Sequence, residues 1–358
     1  MTHLRVLLFL FLAHVSALPA NGQPASNGAQ NTPTQEGTLS RWLELKTGVL
    51  GFRYKRTEAT DTPWIYQIQY QIQTRGRVKL DREGRYSAGF RFGTGNLFQY
   101  SWNATGAGAG DAQFRVYLKE LFFLAAPWRS VEIQFGGIGI NRGESTEITS
   151  YSNNGYLMGE RVIIRRPDKL YFDEISLTGA YLGDQTEPGV IGRFHRLESM
   201  NYHQFLVGKQ VSKRFAFTAD YTFQDGIETL RQGLRAYPAK NRYVDYVLFE
   251  DYQRLDWKPA WGFALSLQKN LSPRLSLTGG FVDVDKDYPN WNADRLGRGK
   301  RLFVAANYNF WREFSAIVFA GKALANDFPV INAARYDLIL SYDFMRALQR
   351  ARLISIGN

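Results

Sequence analysis

The residues best placed to do chemistry in this 358-residue chain are basic ones at alternate positions. Arg75, Arg77 and Lys79 recur every second residue, and Arg91 and Arg115 follow on neighbouring segments. Arg142, Arg161 and Arg165 flank a polar string that holds Glu144 and Glu147. Cations at period two line one face of a strand, where they would act on ions crossing a narrow, partly desolvated passage. The competing chemistry is charge pairing, in which Glu132, Glu144, Glu147 and Glu160 neutralise the same arginines and stiffen a wall. The sequence leaves both readings open. A second basic group, Arg295, Arg298, Lys300 and Arg301, stands where a long loop enters a strand. Arginine forks there suit the phosphate oxygens of lipopolysaccharide, although a charge run of this kind is also simply solvated.

Nucleophilic and metal chemistry are poorly supplied. His195 and His203 are the only histidines past residue 14, and their spacing fits no zinc motif. Ser199 lies between them, but on a strand Ser199 and His203 would be about 13 Å apart at roughly 3.3 Å per residue, beyond hydrogen-bond reach. Asp283, Asp285 and Asp287 alternate with Val284 and Lys286, too sparse for a calcium loop, and Gly106 to Gly110 lacks the lysine of a phosphate loop. No catalytic residue, metal or cofactor is implied.

The elements that must position these residues begin with an export leader. Arg5 precedes the apolar run Val6 to Ala13, and small residues follow at Ser16 and Ala17, which is the pattern of a cleaved secretory signal over residues 1–20. Residues 21–40 are polar and of low complexity, and are expected to be a disordered periplasmic lead-in. The chain has no cysteine, so disulfides and thiolate metals are unavailable to hold it together. The formal charge of +11 would suit nucleic acid, but an exported chain meets instead anionic solutes or lipopolysaccharide phosphates.

From Trp42 onward the texture is period-two. Between Trp64 and Leu80, Tyr66, Ile68, Tyr70, Ile72 and Val78 alternate with Gln67, Gln69, Gln71, Gln73, Arg75 and Arg77. One face is apolar and the other wet, over a length that suits a tilted strand crossing a bilayer. The alternation returns at 215–224, 261–267, 302–310 and 336–344. Tight turns near residues 81–84, 126–130, 166–169, 211–214, 271–274 and 310–313 contrast with longer connections at 101–111, 141–157, 184–197, 225–250, 286–298 and 324–333. Short turns on one side and long loops on the other predict an all-β, transmembrane antiparallel up-and-down β-barrel of about 14 strands over residues 41–346, with 12 or 16 if one long loop is misread. Phe344 would end the last strand, leaving a tail to Asn358.

The stretch Val116-Tyr-Leu-Lys-Glu-Leu-Phe-Phe123, the turn at Pro127 and Val131-Glu-Ile-Gln-Phe-Gly-Gly137 together resemble the bacterial outer-membrane porin superfamily, near its alginate-export and phosphate-selective types. Leu121 and Gly137 stand where those porins often have Ala and Arg. The resemblance implies a water-filled channel for small hydrophilic solutes, with residues 141–160 folded into the pore and a homotrimer as one outcome. It also leaves open a barrel plugged by 141–160.

Overall fold

The computed structural model describes residues 42–59, 62–144, 155–165, 171–183, 186–238, 243–289, 296–330 and 332–351. The expected leader, the lead-in and residues 352–358 of the tail lie outside these.

Strong β-formers alternate with polar residues through most of the chain, and the strands follow that pattern. They are β1 (Leu43–Ala59), β2 (Thr62–Lys79), β3 (Tyr86–Gly93), β4 (Asn103–Gly108), β5 (Tyr117–Trp128) and β6 (Val131–Gly139). Next come β7 (Tyr156–Arg165), β8 (Glu174–Tyr181), β9 (Tyr202–Ser212), β10 (Phe215–Gln224), β11 (Ile227–Ala236) and β12 (Tyr246–Arg254). The last are β13 (Ala260–Ser272), β14 (Leu275–Val284), β15 (Gly299–Trp311), β16 (Phe314–Ala323) and β17 (Ala334–Asp343). All belong to one sheet of antiparallel neighbours, and β1 pairs with β17 (Phe52↔Leu340), so the sheet closes on itself.

β3 and β4 are two halves of one wall strand, because both pair with β2 in succession, at Gln73↔Gly93 and at Tyr70↔Asn103. The seventeen segments therefore make a closed barrel of sixteen strands. That corrects the fourteen expected from the sequence. The stretch 225–250, read as one outer loop, contains β11 and half of β12. The error has a physical source: β11 carries Glu228 and Gln232 among its outward leucines and Arg231 on its inner face, so apolar alternation is broken. β10 and β11 are joined by Asp225 and Gly226 alone, both at positive φ (48° and 81°), the backbone of a tight hairpin turn that glycine adopts without strain. The segment 101–111 is corrected too, since the wall strand breaks at 94–102 and resumes at Asn103.

The faces of β2 are as the alternation predicts: Tyr66 is 51% exposed on the outside and Gln69 5% exposed on the inside. Exposed Phe52, Tyr54, Leu302, Val304, Leu338 and Leu340 continue the outer apolar belt on β1, β15 and β17. Charged residues between them, such as Arg53 and Asp337, are buried inside. At the short-turn end, β17 stops at Asp343, whose side chain accepts from the Arg346 amide (3.1 Å) and caps helix α1 (Phe344–Arg350). Phe344 thus opens a helix rather than closing the last strand.

Candidate functional site: the charged inner wall

Two segments leave the wall and are caught by cations on its inner face. The first is the break at 94–102. A register shift at Arg91/Phe92 makes Lys119 the extra residue of a bulge on β5, since Leu118 pairs with Phe92 and Glu120 with Arg91. The bulge turns Lys119 inward beside Glu120. The Lys119 Nζ donates to three backbone carbonyls of the departing segment, Gly95 (2.8 Å), Leu97 (2.8 Å) and Tyr100 (3.1 Å). Thr94 Oγ1 donates to the Ser101 carbonyl (2.6 Å) and closes the neck. Trp102 then lies under the inward Arg53 guanidinium, 4.7 Å from the ring centroid.

The second segment is 141–144, which follows β6. Arg231 on β11 donates to the carbonyls of Glu144 (2.8 Å) and Arg142, while also facing Asp220 (3.2 Å) and Glu250 (3.2 Å). Gln204 donates to the Asn141 carbonyl (2.8 Å) and to both Asp220 oxygens (3.0 Å each). Arg235 clasps the Glu144 carboxylate at 2.6 Å. Gly233 allows this approach, because a Cβ there would stand 2.8 Å from the Glu144 carbonyl oxygen. A cavity of about 30 Å³ remains between Asn141, Arg142, Tyr202, Gln204, Thr222 and Arg231, enough to hold a water. So the segment after β6 does cross onto the opposite inner wall, as far as residue 144.

The cations foreseen from the sequence fall into several groups. Arg75 and Arg91 share Glu120 (2.8 and 3.1 Å), and Arg77 pairs with Glu44 (2.7 Å). Arg165 bridges Glu132 and Glu174 at the short-turn end (2.8 and 3.3 Å) and is half exposed. Arg161 is buried and bonds only uncharged oxygens among the described residues: Thr178 Oγ1 (2.9 Å), Gln134 Oε1 (3.3 Å) and the Gly139 carbonyl (2.7 Å). Lys79 is half-buried at the short-turn end, and Arg115 is exposed on the connection between β4 and β5. Glu147 and Arg295 lie outside the described residues. Arg298 and Lys300 are exposed, whereas Arg301 points inward, is 3% exposed and donates to the Arg298 and Asn332 carbonyls. Arg301 therefore leaves the set that could face a lipid surface.

Charge pairing is real: Glu132 holds Arg165 as expected, while Glu44 holds Arg77 and Glu120 holds Arg75 and Arg91, two carboxylates not expected in that role. Glu160 faces outward. The alternation at 215–224 sets Asp220 on the polar face, between outward Ala219 and Tyr221, whereas Lys119, Glu120, Arg231 and Glu250 are not singled out by the sequence. His203 also faces outward, its ring against Phe223 (centroids 6.2 Å apart), and no hydrogen bond joins it to Ser199 among the described residues.

No known family model matches the sequence, and no curated protein sequence matches it. Solved structures do match in fold. One is OmpF of Salmonella typhi in complex with daunomycin, at a TM-score of 0.55 and 14% identity over 85% of this chain and 98% of that one. Another is a mutant of the Rh. blastica porin, at a TM-score of 0.53 and 13% identity over 84% of this chain and all of the other. At such identity the likeness is one of fold, and the fold is that of the bacterial porins.

Proposed function

We propose that this porin-fold chain is a bacterial outer-membrane channel for passive diffusion of small hydrophilic solutes, with a preference for anions. The observation that carries the reading is the reversal of polarity across the wall: a broad exposed apolar belt outside and charge inside. Only an apolar medium stabilises such an exterior, and closure leaves no strand edge unsatisfied there. Residues 1–20 serve as the export leader, 21–40 as a periplasmic lead-in and 347–358 as a periplasmic tail.

The preference for anions rests on Lys119 and Arg161, inward cations whose recorded partners are all uncharged. Arg77 is offset by Glu44, whereas Arg75 and Arg91 share the one carboxylate of Glu120 and leave a positive charge there. Reversal potentials across planar bilayers under a salt gradient test this: anion selectivity is expected, and cation selectivity or none defeats it. Arg298 and Lys300 are placed to meet lipopolysaccharide phosphates, and assembly as a homotrimer is what the porin resemblance implies.

A second reading, a plugged barrel, is favoured by inward residues that are fully covered, such as Ala264 and Val282 at 0% exposure. Liposome swelling with sugars of graded size separates the two, because a plugged barrel inserts without swelling.

A further inference from the structure

The outer wall is not uniform. From β13 through β17 to β1, Leu265, Phe281, Val304, Val318, Leu338 and Phe52 face outward, and charges such as Asp283 and Lys300 stand only at strand ends. On β7 to β9 the belt is interrupted part-way up the wall. Glu160, Gly179 and His203 fall in one pairing row, through Glu160↔Gly179 and Gly179↔His203. Two strand spacings put the Glu160 and His203 backbones about 10 Å apart. Gly179 between them has no side chain, and an outward groove of about 430 Å³ opens there, walled by Val162, Leu177, Met200, Phe205 and Tyr221.

Two outward carboxylates of this half, Asp251 and Glu160, are treated differently. Asp251 has both oxygens bonded within its own wall, by Gln253 and the Trp261 indole. Glu160 is exposed, five residues above the short-turn end of β7, and no hydrogen bond or ion pair reaches it among the described residues. A carboxylate placed so is costly against hydrocarbon and calls for a partner with a donor. The patch itself supplies one. A twofold axis through Gly179 would set Glu160 of each copy against His203 of the other, with the groove walls meeting around them, which is the self-complementarity an isologous contact requires.

Resting on the reading of the chain as a membrane barrel, we propose that the β7–β9 groove is a contact between two copies of this chain, held by reciprocal Glu160–His203 pairs. The other walls stay free, so pairing here is compatible with further assembly elsewhere on the barrel.

The chain has no native cysteine, so one introduced cysteine reports one contact. Gly179→Cys near the axis should give a covalent dimer when membranes are oxidised, and Val304→Cys on the opposite wall should give none. Leu177→Cys, two residues along the same face, serves if the glycine variant folds poorly. Adding Glu160→Lys should abolish the dimer, and adding His203→Glu to that variant should restore it. Heat-modifiable migration and resistance to carbonate extraction check the barrel separately. Without those signs the membrane reading fails. With them, absence of the dimer, equal crosslinking of Val304→Cys, or indifference to Glu160→Lys overturns the contact and leaves the groove to lipid.

Discussion

The segment 94–102 and the segment 141–144 leave the barrel wall in the same way and are held by opposite electrostatic designs. Lys119 grips three carbonyls with no carboxylate among its hydrogen-bond partners, so no ion pair offsets the charge it carries. Arg231 grips two carbonyls but stands between Asp220 and Glu250, so its charge is more than offset. A cation is the natural clamp in both cases, because backbone oxygens turned inward need donors and a guanidinium or ammonium supplies several at once. What the difference teaches is that anchoring and field are separable. The first clamp positions a segment and polarises the lumen, whereas the second only positions.

The contrast breaks first at Arg231. Arg231→Met leaves Asp220 and Glu250 without the guanidinium they share and frees the backbone of 142–144, a loss of about 3 to 5 kcal/mol. Urea titration of the folded band should show it, single-channel conductance should rise as the segment loosens, and combining Arg231→Met with Asp220→Asn, which keeps the net charge of the site, should leave ion selectivity little changed. Lys119→Met is the sharper test. Losing three charge-assisted bonds costs about 2 to 3 kcal/mol, and here selectivity must move toward cations. If that double variant and Lys119→Met shift the reversal potential equally, the separation of anchor from field is wrong.

Glu120→Gln probes the same side with the opposite sign. It removes the carboxylate shared by Arg75 and Arg91 but keeps an amide oxygen for them, so the stability loss should be about 1 kcal/mol. Anion selectivity should increase. The pair Lys119→Met and Glu120→Gln therefore brackets the wild type in reversal potential.

Much of this was readable in advance, and the failures are specific. Trp64 to Leu80 showed its two faces because glutamines and arginines alternate with large apolar residues without interruption. Arg75 and Arg77 fall inside for that reason, and Arg91 on the wet face of the neighbouring strand. Their partners were not readable in this way, because Glu44 and Glu120 reach them through cross-strand register, which residue periodicity along one strand does not encode. Lys119 and Glu120 lay in the very stretch that resembles porins, yet adjacent residues on a regular strand point to opposite faces, and only the bulge brings both inside. β11 was lost behind its polar residues, although Asp225-Gly226 is a strong hairpin signal that the sequence carried openly.

The smallest effect is expected at the rim, where an exposed pair does what the two buried clamps do inside. Lys258, between β12 and β13, meets Asp287, between β14 and β15, at 2.7 Å. The bond from the Lys258 ammonium holds the Asp287 carboxyl below its ordinary value of 3.8. A depressed carboxyl stabilises the folded arrangement above its unfolded value, and that contribution is lost as pH falls through the lower folded value. The two loops should therefore separate only in strong acid, and because both groups are exposed and screened by salt the gain is slight. Protection of the amides at residues 256–258 and 286–288, measured against their intrinsic exchange rates at each pH, should fall on acidification in the native chain, and Lys258→Met should show the lower protection already at neutral pH. Equal acid response in that variant would mean that another group ties the rim.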